Sequence, residues 1–257
     1  MTLDEFLEEW NNGDDCITVH TSGSTGKPKP MRVEKRRMEA SARITCRFLG
    51  LKQGDTALLC MPLDYIAGKM VVVRSIVAGL RLISVKPGGH PLRGLDRSPV
   101  FAAMVPLQVY DSISDPEERR LLMGVRQLII GGGAVDDALC DALKDFPNAV
   151  WSTYGMTETL SHIALRRLNG PEASEWYTPF ENVSVATDAD GCLMIDAPAV
   201  CEKRLKTNDI AELDADGRRF RIIGRKDNVV CSGGIKMQIE EMERQLKPHA
   251  TCRFMIT

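Results

Sequence analysis

Between residues 56 and 85 the sequence runs strand, helix, strand with almost no polar relief. Thr56-Ala57-Leu58-Leu59-Cys60-Met61 is a continuous apolar run of strand length. A strand with one wet face alternates apolar and polar residues, so an unbroken run predicts burial on both faces. Pro62 closes the run. Residues 67–78 read as an apolar helix capped by Gly79, and residues 81–85 as the next strand. The alternation continues with strands at 100–105, 127–130 and 150–154 and helices at 107–113 and 135–146. Strands separated by helices predict an α/β fold, a mostly parallel sheet covered by helices. Ligands of such sheets collect beyond the carboxyl ends of the strands.

Before this region, Leu3, Phe6, Leu7 and Trp10 recur at helical spacing, Cys16 to Val19 reads as a strand, and residues 34–49 as a basic helix. Residues 86–98, with Pro87-Gly88-Gly89 at their start, read as a loop. After Ser161 the texture changes to short strands. Asp190-Gly191 and Asp216-Gly217 read as hairpin turns, and residues 193–195, 210–213 and 220–223 as a small antiparallel β subdomain. A helix follows at about 238–246, and the apolar run 253–257 looks like a strand without a partner. The expected division is a ligand-binding α/β region 1–160, a β-rich subdomain 161–225, and a further segment 226–257.

The totals narrow the function. A net charge of −2 over 257 residues predicts neither a nucleic-acid binder nor a membrane-surface protein. The eight cysteines are scattered without a C-x-x-C pair, which predicts reduced thiols, a cytoplasmic location and no zinc centre. No run of 18 apolar residues and no basic-then-apolar leader occurs, so neither a spanning helix nor a secretory leader is expected. The oligomeric state, a homo-oligomer included, is left open.

Five short strings carry chemistry. After the strand at 16–19, the string Thr21-Ser22-Gly23-Ser24-Thr25-Gly26-Lys27-Pro28-Lys29 packs hydroxyls, glycines and lysines together. Such a turn donates to anionic oxygens, and its natural ligand is a polyphosphate. It is not the G-x-x-x-x-G-K-[ST] loop, because Pro28 follows Lys27 and Thr21 stands five before Gly26. Tyr154-Gly155-Met156-Thr157-Glu158 leaves a strand with an aromatic face for a base and a carboxylate for Mg²⁺, or else simply starts a helix. Gly131-Gly132-Gly133 follows a strand and offers bare backbone to a purine, or a helix-entry turn. Thr207-Asn208-Asp209 supplies a carboxylate acceptor before a strand. Gly224-Arg225-Lys226-Asp227 follows the last strand of the small sheet, with Ser232-Gly233-Gly234 close behind.

In this order the strings resemble the motifs of the adenylate-forming superfamily, the acyl-CoA synthetases, peptide-synthetase adenylation domains and luciferases. The resemblance runs from about His20 to Glu243. It implies ATP and Mg²⁺ as cofactors and CoA as co-substrate. It places the β- and γ-phosphates on residues 21–29, with Lys27 catalytic, and adenine between Tyr154-Gly155 and Gly131–Gly133. It puts Thr157 at the α-phosphate, Mg²⁺ on Glu158, the ribose on Asp209, and Arg225 at the ribose or phosphate. It makes Asp227 the hinge of a mobile C-terminal domain and Gly233-Gly234 a contact for CoA. Pro62-Leu63…Gly68, Arg225–Asn228 and Ser232–Gly234 with Glu240–Glu243 are most similar to the o-succinylbenzoate–CoA ligases of menaquinone biosynthesis. The acyl pocket is then expected along the helix after Pro62, from Tyr65, Gly68, Lys69 and Arg74. One of the two cations would pair with the second carboxylate of an aromatic dicarboxylic acid, or both would lie on the helix's solvent face.

The chain departs from the superfamily in three places. Asn208 stands where T-G-D has glycine. Asp64-Tyr65 stands where many relatives have an aromatic-histidine pair. The superfamily's catalytic lysine lies well past the hinge, and neither Lys236 nor Lys247 sits in a matching motif. These departures keep three rivals open: another acyl- or aryl-CoA ligase, a carrier-protein adenylation enzyme, and a nucleotide-binding pseudoenzyme or fragment.

Overall fold

The computed structural model describes residues 1–20, 30–232, 235–246 and 249. Helix α1 (Leu3–Asn11) opens on a capping box. Thr2 Oγ1 accepts from the Glu5 amide, and Glu5 returns the bond to the Thr2 amide. Strand β1 (Cys16–His20) pairs antiparallel with β2 (Pro30–Glu34), and His20 faces Pro30 across residues 21–29. The expectation that the strand at 16–19 and the string after it share a sheet edge with Gly131–Gly133 and Tyr154-Gly155 is corrected by the pairing of β1. β1 and β2 form a sheet of their own, apart from the parallel one. Residues 21–29 lie outside the described ones.

Helix α2 (Lys35–Phe48) packs on α3 (Ile66–Ala78), which follows β3 (Thr56–Leu59). All four β3 residues are buried, as the unbroken apolar run requires. Gly79 ends α3 in the left-handed conformation at φ +63°. Next come β4 (Arg81–Ser84), β5 (Phe101–Met104), α4 (Pro106–Ser114), α5 (Pro116–Met123), β6 (Gln127–Ile130), α6 (Asp137–Leu143) and β7 (Ala149–Gly155). Then β8 (His162–Arg167) and β9 (Thr178–Pro179) complete a seven-stranded sheet ordered β4-β3-β5-β6-β7-β8-β9. The first five in that order are parallel, and β8 and β9 antiparallel. The main sheet thus continues past Ser161, where the texture changed. Helix α5 was not foreseen. Its Pro116-Glu117-Glu118-Arg119-Arg120 start hides a helix that Asp115 caps through the Glu117 and Glu118 amides.

The loop at 86–98 is fastened to α4 and α5 through one buried carboxylate. Glu118 accepts from the Leu92 amide and Ser112 Oγ and meets His90 Nδ1 at 2.8 Å. Asp115 closes the same cluster, and Arg93 lies 3.8 Å from Glu118.

Strands β10 (Ser184–Thr187), β11 (Cys192–Asp196), β12 (Leu205–Leu213) and β13 (Phe220–Arg225) form the expected antiparallel sheet. Gly191 and Gly217 take the positive φ that the two hairpin turns demand. Beyond it lie β14 (Val229–Ser232), β15 (Ile235–Gln238) and α7 (Ile239–Leu246). The apolar run 253–257 lies outside the described residues. Among those described, no helix is long and apolar enough to cross a membrane. Cys16, Cys46, Cys60, Cys140, Cys192 and Cys201 are free thiols.

Candidate functional site

Parallel β6 and β7 end on one edge. Gly131, Gly132 and Gly133 leave β6 there, and Tyr154 and Gly155 finish β7. A Cβ on Gly155 would stand 2.2 Å from the Ser161 carbonyl oxygen and 2.4 Å from the His162 Cα. Only glycine lets β7 meet β8 where their register shifts. One 3₁₀ turn follows, Thr157–Thr159, closed by the Leu160 amide on the Thr157 carbonyl at 2.9 Å. Leu160 is buried at φ +62°, a left-handed backbone that costs a side-chain-bearing residue about 1 kcal/mol. The turn buries Thr157 and exposes Glu158. Among the described residues no hydrogen bond or ion pair holds the Glu158 carboxylate, which leaves its oxygens to a hard dication.

From the small sheet, Asp209 and Arg225 face each other across β12 and β13. The Tyr154 hydroxyl donates to Asp209 Oδ2 at 2.6 Å, and Arg225 Nη1 to Oδ1 at 3.1 Å. Arg225 Nη2 donates to Asp227 at 2.9 Å, and the Asn208 amide reaches the same oxygen at 3.4 Å. Four of the expected nucleotide and hinge residues thus form one hydrogen-bonded string between the two sheets. Burial, and then the Asp209 carboxylate, push the Tyr154 phenol above its ordinary range. Its ring is backed edge-on by Phe220 at 5.0 Å and leans on Tyr177 at 5.8 Å. Neither backing residue belongs to a motif. Their aromatic character beside the β-rich segment was the only signal for them.

On α3, Tyr65 is exposed at the helix start. A Cβ on Gly68 would lie 2.4 Å from the Pro62 carbonyl oxygen, so its bareness lets the turn after β3 close on the helix. Lys69 and Arg74 are 1% and 2% exposed, which overturns the solvent-face alternative. The Lys69 ammonium lies 3.7 Å from Glu9 and 5.1 Å from the centre of the Phe6 ring, both on α1. Burial lowers its pKa, opposed by Glu9 and Asp64. Among the described residues no carboxylate pairs with Arg74. Its Nη2 donates to Ser161 Oγ at 2.6 Å, and its Nε is buried without a partner. Burial brings this guanidinium down to about 10.

Sequence reasoning stopped at Glu158 and missed what comes next. Ser161 Oγ also meets His162 Nδ1 at 3.2 Å, and His162 Nε2 meets Thr45 Oγ1 at 3.1 Å. Burial first, and Arg74 second, hold His162 well below its ordinary pKa, so the ring is neutral. The available signal was a polar pair, Ser161-His162, heading an apolar strand. Gly233 and Gly234, like Lys247 and residues 21–29, lie outside the described residues. At the carboxyl ends of β3 and β4 a cavity of about 380 Å³ is lined by Leu59, Met61, Leu63, Ser84, Val85 and Lys86.

Residues 4–191 match the family model described as AMP-binding enzyme. The 2-succinylbenzoate–CoA ligase of Geobacillus sp. (strain WCH70) is 26% identical over 277 residues, 95% of this chain and 56% of that protein. Its counterpart from Bacillus mycoides (strain KBAB4) is 25% identical, over 95% of this chain and 57% of that one. This chain therefore spans little more than half the length of these curated relatives. An acyl-CoA synthetase (AMP-forming)/AMP-acid ligase II-like protein from Dyadobacter fermentans DSM 18053 superposes with a TM-score of 0.81 at 38% identity, covering 95% of this chain and 69% of its own. The o-succinylbenzoate coenzyme A synthetase of Bacillus subtilis, solved with ATP and magnesium ion, superposes at 0.72 over 90% of this chain and 54% of that one. At 22% identity that likeness is one of fold.

Proposed function

The chain belongs to the AMP-binding enzyme family, and from that premise we propose that it is the main part of an ATP-dependent acid–CoA ligase acting on an aromatic dicarboxylic acid. The substrate that fits best is o-succinylbenzoate. A substrate carboxylate oxygen attacks the α-phosphorus of ATP and pyrophosphate leaves. The CoA thiolate then attacks the acyl carbon of the adenylate and AMP leaves. The protein contributes position and charge. In this reading residues 21–29, with Lys27, hold the leaving pyrophosphate. Adenine lies between Gly131–Gly133 and Tyr154-Gly155, and Asp209 and Arg225 take the ribose. Thr157 faces the α-phosphate, Asp227 is the hinge, Gly233-Gly234 meet CoA, and Tyr65 and Gly68 border the acyl group. Glu158 would hold Mg²⁺, which when bound neutralises phosphate charge. The functional division 1–160, 161–225 and 226–257 belongs to the same proposal, as does a cytoplasmic site of action.

The observation that carries the dicarboxylic substrate is Arg74. A guanidinium 2% exposed, with a buried unpartnered Nε and no carboxylate beside it among the described residues, has an unspent charge. Burying an ion without a counter-charge is costly unless a ligand supplies one. Lys69 already has Glu9, so of the two cations Arg74 is assigned to the second carboxylate.

The test is one incubation with Mg·ATP and o-succinylbenzoate, with and without CoA, following acyl-adenylate, AMP and thioester by mass spectrometry. Thioester formed only with CoA supports the ligase. Product appearing only after the chain is extended toward its relatives' length places the remaining machinery in that extension. No product from either version, with other aromatic acids accepted, overturns the o-succinylbenzoate assignment. No product with any acid, despite tight ATP binding, favours a nucleotide-binding pseudoenzyme.

A further inference from the structure

The protons around Arg74 have one consistent order. Arginine only donates, so Ser161 Oγ accepts from Arg74 Nη2. Thr45 has one hydroxyl proton, and the Ser41 carbonyl takes it at 3.1 Å. His162 Nε2 must then donate to Thr45 Oγ1 at 3.1 Å, which fixes the neutral Nε2–H tautomer. That leaves Nδ1 as an acceptor, 3.2 Å from the Ser161 hydroxyl. The opposite tautomer would aim two donors at Ser161 Oγ and leave the serine proton without an acceptor among the described residues. The run is Arg74 to Ser161 to His162 to Thr45 to the Ser41 carbonyl, every donor pointing away from the guanidinium. Each bond polarises the next in the same sense.

Such a relay does what a carboxylate could not. It presents lone pairs to the cation and orients it, yet it is neutral and leaves the positive charge unspent. The three side chains behind Arg74 (Ser161, His162 and Thr45) come from α2, β8 and the turn before β8. They are held by packing: Thr45 is fully buried, His162 lies against Phe180 with ring centres 5.5 Å apart, and Ser161 follows the strained Leu160.

We propose that His162 is a positioning residue which, as the Nε2–H tautomer acting through Ser161, fixes the Arg74 guanidinium for the second anionic group of the acyl substrate. The proposal rests on Arg74 being the anion receptor. Its signature is selectivity. Loss of the relay should weaken binding of an acid with two carboxylates and leave its one-carboxylate analogue and ATP untouched.

The experiment titrates the chain by calorimetry with o-succinylbenzoate and with 3-benzoylpropionate, the same acid without its ring carboxylate. The unaltered protein should prefer the first, and Arg74→Met should abolish the preference. If it has no preference, the receptor reading itself fails. His162→Leu, which has no acceptor for Ser161, should cut the preference about tenfold, the worth of one hydrogen bond to a charged group's partner. His162→Asn, whose amide oxygen falls where Nδ1 was, should restore most of it. A preference unchanged in His162→Leu overturns the positioning role while leaving Arg74 standing. If His162→Leu does not fold, ¹⁵N imidazole shifts of the unaltered chain decide instead. A protonated Nε2 with a bare Nδ1 supports the relay, and a protonated Nδ1 overturns it.

Discussion

Helix α3 carries two buried cations five residues apart, and the two ends of that helix have opposite fates. At the Lys69 end, two α1 side chains meet the ammonium, Glu9 at 3.7 Å and the Phe6 ring with its centre at 5.1 Å. At the Arg74 end, the hydrogen-bonded string among the described residues runs through a serine, a histidine and a threonine, all neutral. Burial depresses both pKa values, and among the described residues carboxylates resist the shift at Lys69 and not at Arg74. A cation whose charge is met inside the protein holds the fold together. One that is oriented but not neutralised is, in the proposed function, kept for the substrate's second carboxylate. The sequence writes both as lone charges in an apolar helix, and tertiary packing alone tells them apart.

The sharpest way to break this contrast is Arg74→Met. Removing an uncompensated buried charge for an apolar side chain of similar length should leave stability unchanged or raise it by about 1 kcal/mol. Affinity for o-succinylbenzoate should fall on the order of thirtyfold, the range of a charge-assisted bond. Chemical denaturation and calorimetric titration of the same preparation read the two quantities. A loss of stability with binding intact would make Arg74 the structural cation and reverse the comparison.

Glu9→Gln attacks the other end. It strands the Lys69 charge beneath α1 and should cost about 1–3 kcal/mol in denaturation. That is less than a fully buried pair, because the Glu9 side chain is 27% exposed. Adding Lys69→Met to Glu9→Gln should recover most of the loss, a coupling that a double-mutant cycle measures directly. Acid binding should not change in either variant.

The two ends also titrate in opposite pH windows. His162 is held neutral by burial and by Arg74, so its native pKa lies well below the ordinary value of 6.5. Below that value the unfolded chain binds a proton that the native chain refuses. Stability therefore falls as the pH drops, by up to about 1.4 kcal/mol per unit. His162→Asn should remove that part of the slope between pH 6.5 and 5, seen by subtracting the two denaturation curves. Lys69 acts at the alkaline side. Its native pKa is below 10.5, so the native chain gives up its proton first and stability rises with pH as 10.5 is approached. Lys69→Met should flatten that rise.

Local chemistry made much of this legible. The unbroken apolar run at β3 announced a strand buried on both faces, and Asp190-Gly191 and Asp216-Gly217 announced hairpins through the positive φ their glycines take. Tyr154, Asp209 and Arg225 were readable as a set from their motifs, and they meet in one hydrogen-bonded string. What could not be read was pairing at a distance. A short apolar strand at 16–20 reads the same whether it joins a parallel sheet or folds back on β2. The fate of Lys69 depends on Glu9, 60 residues earlier, and that of Arg74 on Ser161, 87 residues later. His162 was hidden for the same reason. In an apolar strand a lone histidine carries no mark of which tautomer its neighbours require.

The smallest expected effect is the most discriminating. Lys69→Met removes one partner of a pair and so should, by simple counting, destabilise. It also removes the cost of burying an ammonium. Glu9 is left behind with its side chain 27% exposed and Oε1 held by the Thr18 amide, though Oε2 stays buried, and the methionine keeps most of the stem's packing on Phe6. The ion pair with Glu9 is lost, and with it the attraction between cation and ring, about 0.5–1 kcal/mol. The terms nearly cancel, so stability at neutral pH should move by no more than about 1 kcal/mol in either direction. Affinity for o-succinylbenzoate should stay within twofold of the unaltered chain, in contrast to Arg74→Met. If Lys69→Met weakened the dicarboxylic acid as much as Arg74→Met does, Glu9 would not be spending the lysine's charge. Both cations would then face the substrate, and the division of labour along α3 would be lost.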